Sequence, residues 1–428
     1  MKKALSVFLL ALTVLSLFSF ASCSKSASDE EPETEEDFSN AVTDVTVTDP
    51  AYYEKFRDQK ISINVYNWGE YISNGSEGSL DVIAAFEKIS GIKVNYTNYA
   101  TNEDMYAKFK AGSGDVYDIV IPSDYMIAKM IKEDMLEKID FDNVPNSSYI
   151  DEQYRTPDFD PNGEYSVPYT WGTVGIIYNT KYVTEEEAST WDVLWNPKFK
   201  NEILMFSNSR DAFAIALAKL GYSLNTDNLD EIKEAGELLQ EQKQYVQTYV
   251  MDQIFDKMQL EEAYVAPYYA GDAMTMIKRN PSLAFAFPKE SSNIFIDSVC
   301  IPKGSQNKEA AEAFINFLCE PEVAAANCEY ICYSTPESAA KELLPDEMKN
   351  SPIAYPPTET TARFEAFIDL PSEANELMIR TWNDILIGAN DNAWQSGPLT
   401  VVSIIIGLAL IILIILMKVR KNKKKADY

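Results

Sequence analysis

The strongest constraint on the fold is an alternation. Between Ile61 and Asn392, short strand-like runs take turns with longer runs of helical period. The strand-like runs are Ile61–Val65, Ile92–Tyr96, Asp118–Pro122, Gly175–Asn179, Ile203–Phe206, Leu283–Phe287 and Asp297–Ile301. The helix-like runs are Leu80–Ser90, Glu103–Ala111, Tyr125–Lys132, Arg210–Leu220, Leu229–Gln242, Glu309–Cys319 and Glu373–Leu386. In the first helix Leu80, Ile83, Ala84 and Phe86 keep a 3.6-residue period, and Gly91 stands where a cap belongs. Such alternation predicts an α/β fold. Roughly 330 residues is more than one hydrophobic core usually serves, so two lobes are expected. No internal repeat is evident.

The first strand ends in a chemically loaded turn. Ile61, Ile63 and Val65 alternate with Ser62 and Asn64, and the run breaks into Trp68-Gly69-Glu70-Tyr71. Ligands of α/β proteins sit at the carboxyl ends of strands. Two aromatic faces there attract a cation by roughly 0.5–2 kcal/mol each, and Glu70 adds a full charge.

Both ends of the chain carry membrane signals. Residues 1–22 hold a basic start, an apolar run and the small pair Ala21-Ser22, which is the pattern of a secretory signal. Cys23 follows directly, as in a lipoprotein signal whose Cys is acylated, although Phe20 stands where such signals usually have Leu. Residues 23–60 are rich in Ser, Glu and Asp and are expected to form a solvated linker. Residues 399–417, uncharged throughout, span roughly 28 Å as a helix, about one hydrocarbon core. The basic tail 418–428 puts the C-terminus in the cytoplasm and the globular part outside.

Composition excludes several classes. The formal net charge is −29, and because the leader and tail are basic, the part between them is more acidic still. Such a field repels nucleic acid and draws cations inward. The sequence has no histidine, so no His triad, His metal ligand or imidazole acid–base pair is available. It also lacks a GxSxG turn, a P-loop and a Gly-rich dinucleotide turn. No catalytic residue, metal or cofactor is expected. Cys300, Cys319, Cys328 and Cys332 do not have zinc-site spacing; disulfides and free buried thiols stay equally open.

Several blocks in order resemble the spermidine/putrescine-binding proteins of ABC importers. They are YNWGEY, GIKVNYTNYATNEDMYAKFKAG, YDIVIPSDYMIAKM, YSVPYTWGTVGIIYN, YAGDA, IDSVCIPKG and CYSTPE, spread over Ile61 to Phe367. The resemblance implies a two-lobed periplasmic-binding-protein fold of type II with the ligand between the lobes. Lobe one would be residues 61–172 and 298–341, lobe two residues 173–297 and 342–392. The helix after Pro398 is outside the usual family pattern.

The resemblance also implies the site. Trp68 and Tyr71 match an aromatic pair, with Glu70 at a polar position between them. Ser123 and Tyr125 match a Ser-x-Tyr turn. Tyr269 and Phe295 stand where the family has Trp, and Phe367 replaces a Gln. Asp297 matches the central carboxylate, Asp272 an acidic position of putrescine-preferring members, and Tyr333 and Asp211 match as well. Asn208 stands where spermidine binders carry Asp, which leans toward putrescine. The implied partners are putrescine or spermidine, ABC permease subunits with an ATPase, and the membrane, with the receptor a monomer. A binding protein for another small organic cation, or a membrane-anchored polyamine sensor, are the alternatives.

Overall fold

The computed structural model describes residues 38–388. The expected signal at 1–22, Cys23, the start of the linker, the apolar run 399–417 and the tail 418–428 lie outside the described residues. Among the described residues no helix is long and apolar enough to cross a membrane.

Ten strands form the framework: β1 Ser62–Trp68, β2 Lys93–Tyr99, β3 Ile119–Val120, β4 Leu136–Glu137, β5 Ser166–Asn179, β6 Ile203–Phe206, β7 Val246–Val250, β8 Val265–Tyr269, β9 Leu283–Ala286 and β10 Ile294–Pro302. They join in the order β2–β1–β3–β10–β5–β8–β6–β7, with β4 on β10 and β9 on β5. β1 is parallel to β2 and β3, while β10 runs antiparallel to β3 and β5. β1 is central and buried on both faces: Ile63 and Val65 enter the main core, and Tyr66 enters a second one with Tyr99, Phe109 and Met126.

β5 and β10 link the two halves of this α/β architecture. β5 pairs with β10 from Ser166 to Thr173, and from Val174 onward with β8 and β9. The register of the β5–β10 pair shifts between Asp297 and Ser298. An irregularity of that kind re-aims a side chain, and here it falls on the central carboxylate. The two lobe boundaries drawn at 172/173 and 297/298 lie inside these strands. After residue 341, Leu344 and Met348 pack with Ala324 and Cys328, Ser351 reaches Met274 of the second half, and Glu365 pairs with Asn293.

The helices follow their local signals closely. Asp81 caps Val82–Ser90 by accepting from the Ala84 amide at 2.8 Å. Gly91 closes that helix at φ 75°, and a Cβ there would also stand 2.8 Å from the Arg57 backbone. Leu229–Gln242 spans the residues its periodicity predicts. Three elements had no clear signal. Pro267 disguises β8, helix Ala270–Arg279 has no side-chain cap, and helix Pro321–Ile331 opens on a proline. The four cysteines are buried free thiols.

The linker expectation requires correction. From about residue 41 the chain is stitched onto the first half. Val47, Tyr53 and Phe56 are buried. The Tyr53 hydroxyl donates to Glu320 Oε1 at 2.8 Å, and the Thr48 amide and hydroxyl donate to Glu320 Oε2 at 2.9 and 2.6 Å. The acidic composition hid an alternation of Val45 and Val47 followed by an aromatic pair, which find an apolar face only after folding. Tyr53→Ala empties a fully buried ring site and strips a donor from a buried carboxylate. It is expected to destabilise the protein by about 3–5 kcal/mol in urea unfolding; no change would mean the segment is solvated after all.

Candidate functional site

The carboxyl end of β1 begins the site. Trp68 donates from its indole Nε1 to the Ile121 carbonyl at 2.9 Å and tilts against Tyr99. Gly69 then lets the chain turn, and Glu70 adopts φ 49°. Glu70 is exposed there and lines a neighbouring groove that shares Asp272 with the cavity. Tyr71 turns inward, and its hydroxyl donates to Asp297 Oδ2 at 2.6 Å and also contacts Thr170 Oγ1.

The second wall is the turn into helix Asp124–Lys132. Ser123 forms an antiparallel bridge with Asp297. Asp124 accepts from the Tyr125 amide at 2.7 Å. The Tyr125 hydroxyl donates to Glu103 Oε1 at 2.9 Å and accepts from Asn102 at 3.1 Å.

The other half closes over these groups. Asn208 caps helix Ser209–Leu220 through its Oδ1, and its Nδ2 donates to Asp211 Oδ2 at 2.8 Å. Tyr269 donates to the same oxygen at 2.9 Å, and Phe295 packs edge-on against the Tyr269 ring. Phe367 meets Tyr125 across the cavity, and Tyr333 meets Tyr71. Asp272 sits in the first turn of helix Ala270–Arg279, while the cap position itself is Tyr269. Gly271 is required there, because a Cβ would stand 2.3 Å from the Tyr333 ring. Arg210 does not line the cavity but lies behind its aromatic wall, donating to Asn225 at 2.8 Å and stacking on Phe367.

The structure thus brings the sequence-derived residues onto one cavity, with Glu70 as the exception. About 60 Å³ of it is open to the centre of a water molecule, where one water needs about 10–15 Å³. The cavity therefore has little free room inside it. Glu103, Asp124 and Asp252 also line it and escaped the sequence reading. Asp124 sits unread between two named residues, Glu103 resembles an ordinary helix-start acid, and Asp252 carries no local signal.

Glu103, Asp124, Asp211, Asp252, Asp272 and Asp297 make a lining without a single Lys or Arg. Burial pushes Asp297 up to about 6, although hydrogen bonds from Tyr71 and Ser123 pull it down. Burial likewise raises Glu103, Asp124, Asp211 and Asp272. Asp297 Oδ1 and Asp124 Oδ2 have no hydrogen-bond partner among the described residues. Buried acceptors of this kind call for a donor, and an anion is excluded. The aromatic walls suit a ligand with an apolar chain and ammonium ends. Tyr71→Phe removes the 2.6 Å donor and is expected to raise the Asp297 carboxyl above about 6 in the empty protein, as read by carboxyl NMR titration. An unchanged value would detach Tyr71 from that charge.

Comparison with known proteins gives the site a setting. The chain is 37% identical over 300 residues to the spermidine/putrescine-binding periplasmic protein of Salmonella typhimurium, covering 70% of this chain and 84% of that protein. The solved spermidine/putrescine ABC transporter substrate-binding protein of Streptococcus pneumoniae superposes with a TM-score of 0.64 at 35% identity, covering 77% of this chain and 99% of that one. A solved lipoprotein of Treponema pallidum gives 0.67 at 30% identity, covering 76% and 99%. These likenesses support the two-lobed periplasmic-binding-protein fold. With residues 81–356 matching the family model as well, the chain belongs to the bacterial extracellular solute-binding proteins.

Proposed function

We propose that this protein is the extracytoplasmic receptor of a polyamine ABC importer. It captures putrescine or spermidine between its lobes and presents the closed form to permease subunits driven by an ATPase. It acts as a monomer and as a binding protein rather than an enzyme. The observation that carries this reading is the lining: buried carboxylates, no basic side chain, and aromatic walls. A polyamine is a thin apolar chain bearing ammonium groups. Each ammonium in contact with a buried carboxylate adds a charge-assisted hydrogen bond of roughly 1.5–3 kcal/mol. The polyamine-binding names of the relatives above support the same ligand class.

Closure follows from residues on both halves. Lys132 pairs with Asp369 at 2.8 Å and Arg279 with Glu77 at 3.6 Å across the join. Exposed pairs of this kind are worth about 0–1 kcal/mol. Ligand contacts therefore supply most of the difference between open and closed forms.

The tether is a second part of the proposal. Cys23 carries a lipid after removal of residues 1–22, and residues 399–417 cross the membrane with the basic tail 418–428 in the cytoplasm. The sequence patterns support both anchors, and the Treponema relative is itself a lipoprotein. Palmitate labelling is expected to mark the wild type and not Cys23→Ser; equal labelling of the two would remove the lipid from Cys23.

Calorimetric titration of the full-length protein in detergent tests the ligand. One-to-one binding of putrescine or spermidine is expected, and Asp297→Asn should weaken it by one to two orders of magnitude, about 1.5–3 kcal/mol. Binding needs the charged form of Asp297, whose carboxyl burial pushes up to about 6, so affinity is expected to fall as the pH drops below that value. No heat with either polyamine would reject the ligand class while leaving the fold intact.

A further inference from the structure

The order of the carboxylates along the cavity shows how many charged groups it is built to hold. Ser123 bridges Asp297, so Asp124 is the next residue along that wall. Beyond it, the Tyr125 hydroxyl reaches Glu103 at 2.9 Å. The charge each group feels gives the same order. Asp272 stands in the field of Asp252 and Asp297. Asp297 feels Asp211, Asp124 feels Asp297 and Asp211, and Glu103 feels Asp211. A chain of contacts carries that order: Tyr333, beside Asp272, packs on Tyr71, Tyr71 donates to Asp297, Ser123 bridges Asp297, and Tyr125 reaches Glu103, so Asp272 lies at one end, Asp297 in the middle, and Asp124 and Glu103 at the far end.

At that far end Asp124 is the group with an unmet demand. It is 2% exposed. One oxygen takes the Tyr125 amide, and the other has no hydrogen-bond partner among the described residues. Asp211, by contrast, already accepts from Asn208 and Tyr269. Arg210, stacked behind Tyr125 and Phe367, lends a positive field to Asp124 but directs its hydrogen bonds to Asn225 and the Ile368 carbonyl. An unpartnered carboxylate oxygen in a cavity without a resident cation is costly until a donor arrives.

We propose that Asp124, with Glu103 beyond it, forms a third ammonium station, so that the cavity is built for a linear triamine and a diamine fills only the Asp272–Asp297 stretch. The inference rests on the polyamine reading and makes it specific. It reverses the lean toward putrescine drawn from Asn208, because the carboxylate absent at position 208 is supplied from the opposite wall.

Titration of the full-length protein in detergent with spermidine and with putrescine, for the wild type and for Asp124→Asn, tests this. Asparagine keeps an acceptor for the Tyr125 amide, so the start of the helix is preserved. Spermidine is expected to bind the variant at least about tenfold more weakly, with putrescine changed by less than about threefold. Equal losses for the two ligands, or unchanged spermidine affinity, overturn the third station and leave the polyamine reading standing. A wild type that binds neither overturns that reading and the station with it. Should thermal melting show Asp124→Asn unfolded, Glu103→Gln replaces it with the same selective loss expected, and no selectivity there overturns the proposal.

Discussion

The structure turns on a carboxylate kept out of water without a counter-ion. Asp297 is buried at the register shift of β10, held by hydrogen bonds from Tyr71 and Ser123, with its Oδ1 left without a partner among the described residues. Removing a charge from water is expensive unless it is paired and hydrogen-bonded. A fold that keeps several such groups around one cavity accepts a poorly satisfied empty state. The entry of a cation removes that penalty.

The strand arrangement makes this possible. β5 and β10 run through both halves, so the halves are joined by ladders rather than by a loose tether. Asp297 lies on one of these strands and Thr170, which touches the Tyr71 hydroxyl, on the other. Groups on the crossing strands stay close to the hinge, while those on the helix starts at Asp124, Asn208 and Ala270 approach from the two sides. The aromatic rings meet across the same gap: Tyr125 with Phe367 and Tyr71 with Tyr333. Rings fill volume without contributing charge, so the cavity keeps little free room and its field stays negative.

Much of the fold was legible because its signals are local. Helix Leu229–Gln242 and strand β6 follow directly from period and composition. The cap at Gly91 follows from a glycine after a helical run. Elements whose identity depends on a neighbour were not legible. β8 contains a proline and becomes a strand only beside β5. Residues 41–58 looked like a solvated linker because their apolar side chains find cover only on the folded first half, where Tyr53 and Thr48 satisfy Glu320. Glu70 stands between Trp68 and Tyr71 in sequence, and at φ 49° it lies exposed in the groove next to the cavity, beside Asp272.

The sequence by itself determined the α/β class, the absence of imidazole chemistry and the aromatic–acidic character of the site. These are properties of composition, period and short motifs, and each is written within a few residues. Tertiary structure decided which carboxylates share the cavity and in what order. It placed Asp124 and Glu103 inside, Glu70 outside, and committed the Asn208 amide to Asp211. Burial and hydrogen-bond partners come from segments more than a hundred residues apart, as between Tyr71 and Asp297. No local pattern can encode them, because desolvation is set by what the folded chain brings alongside.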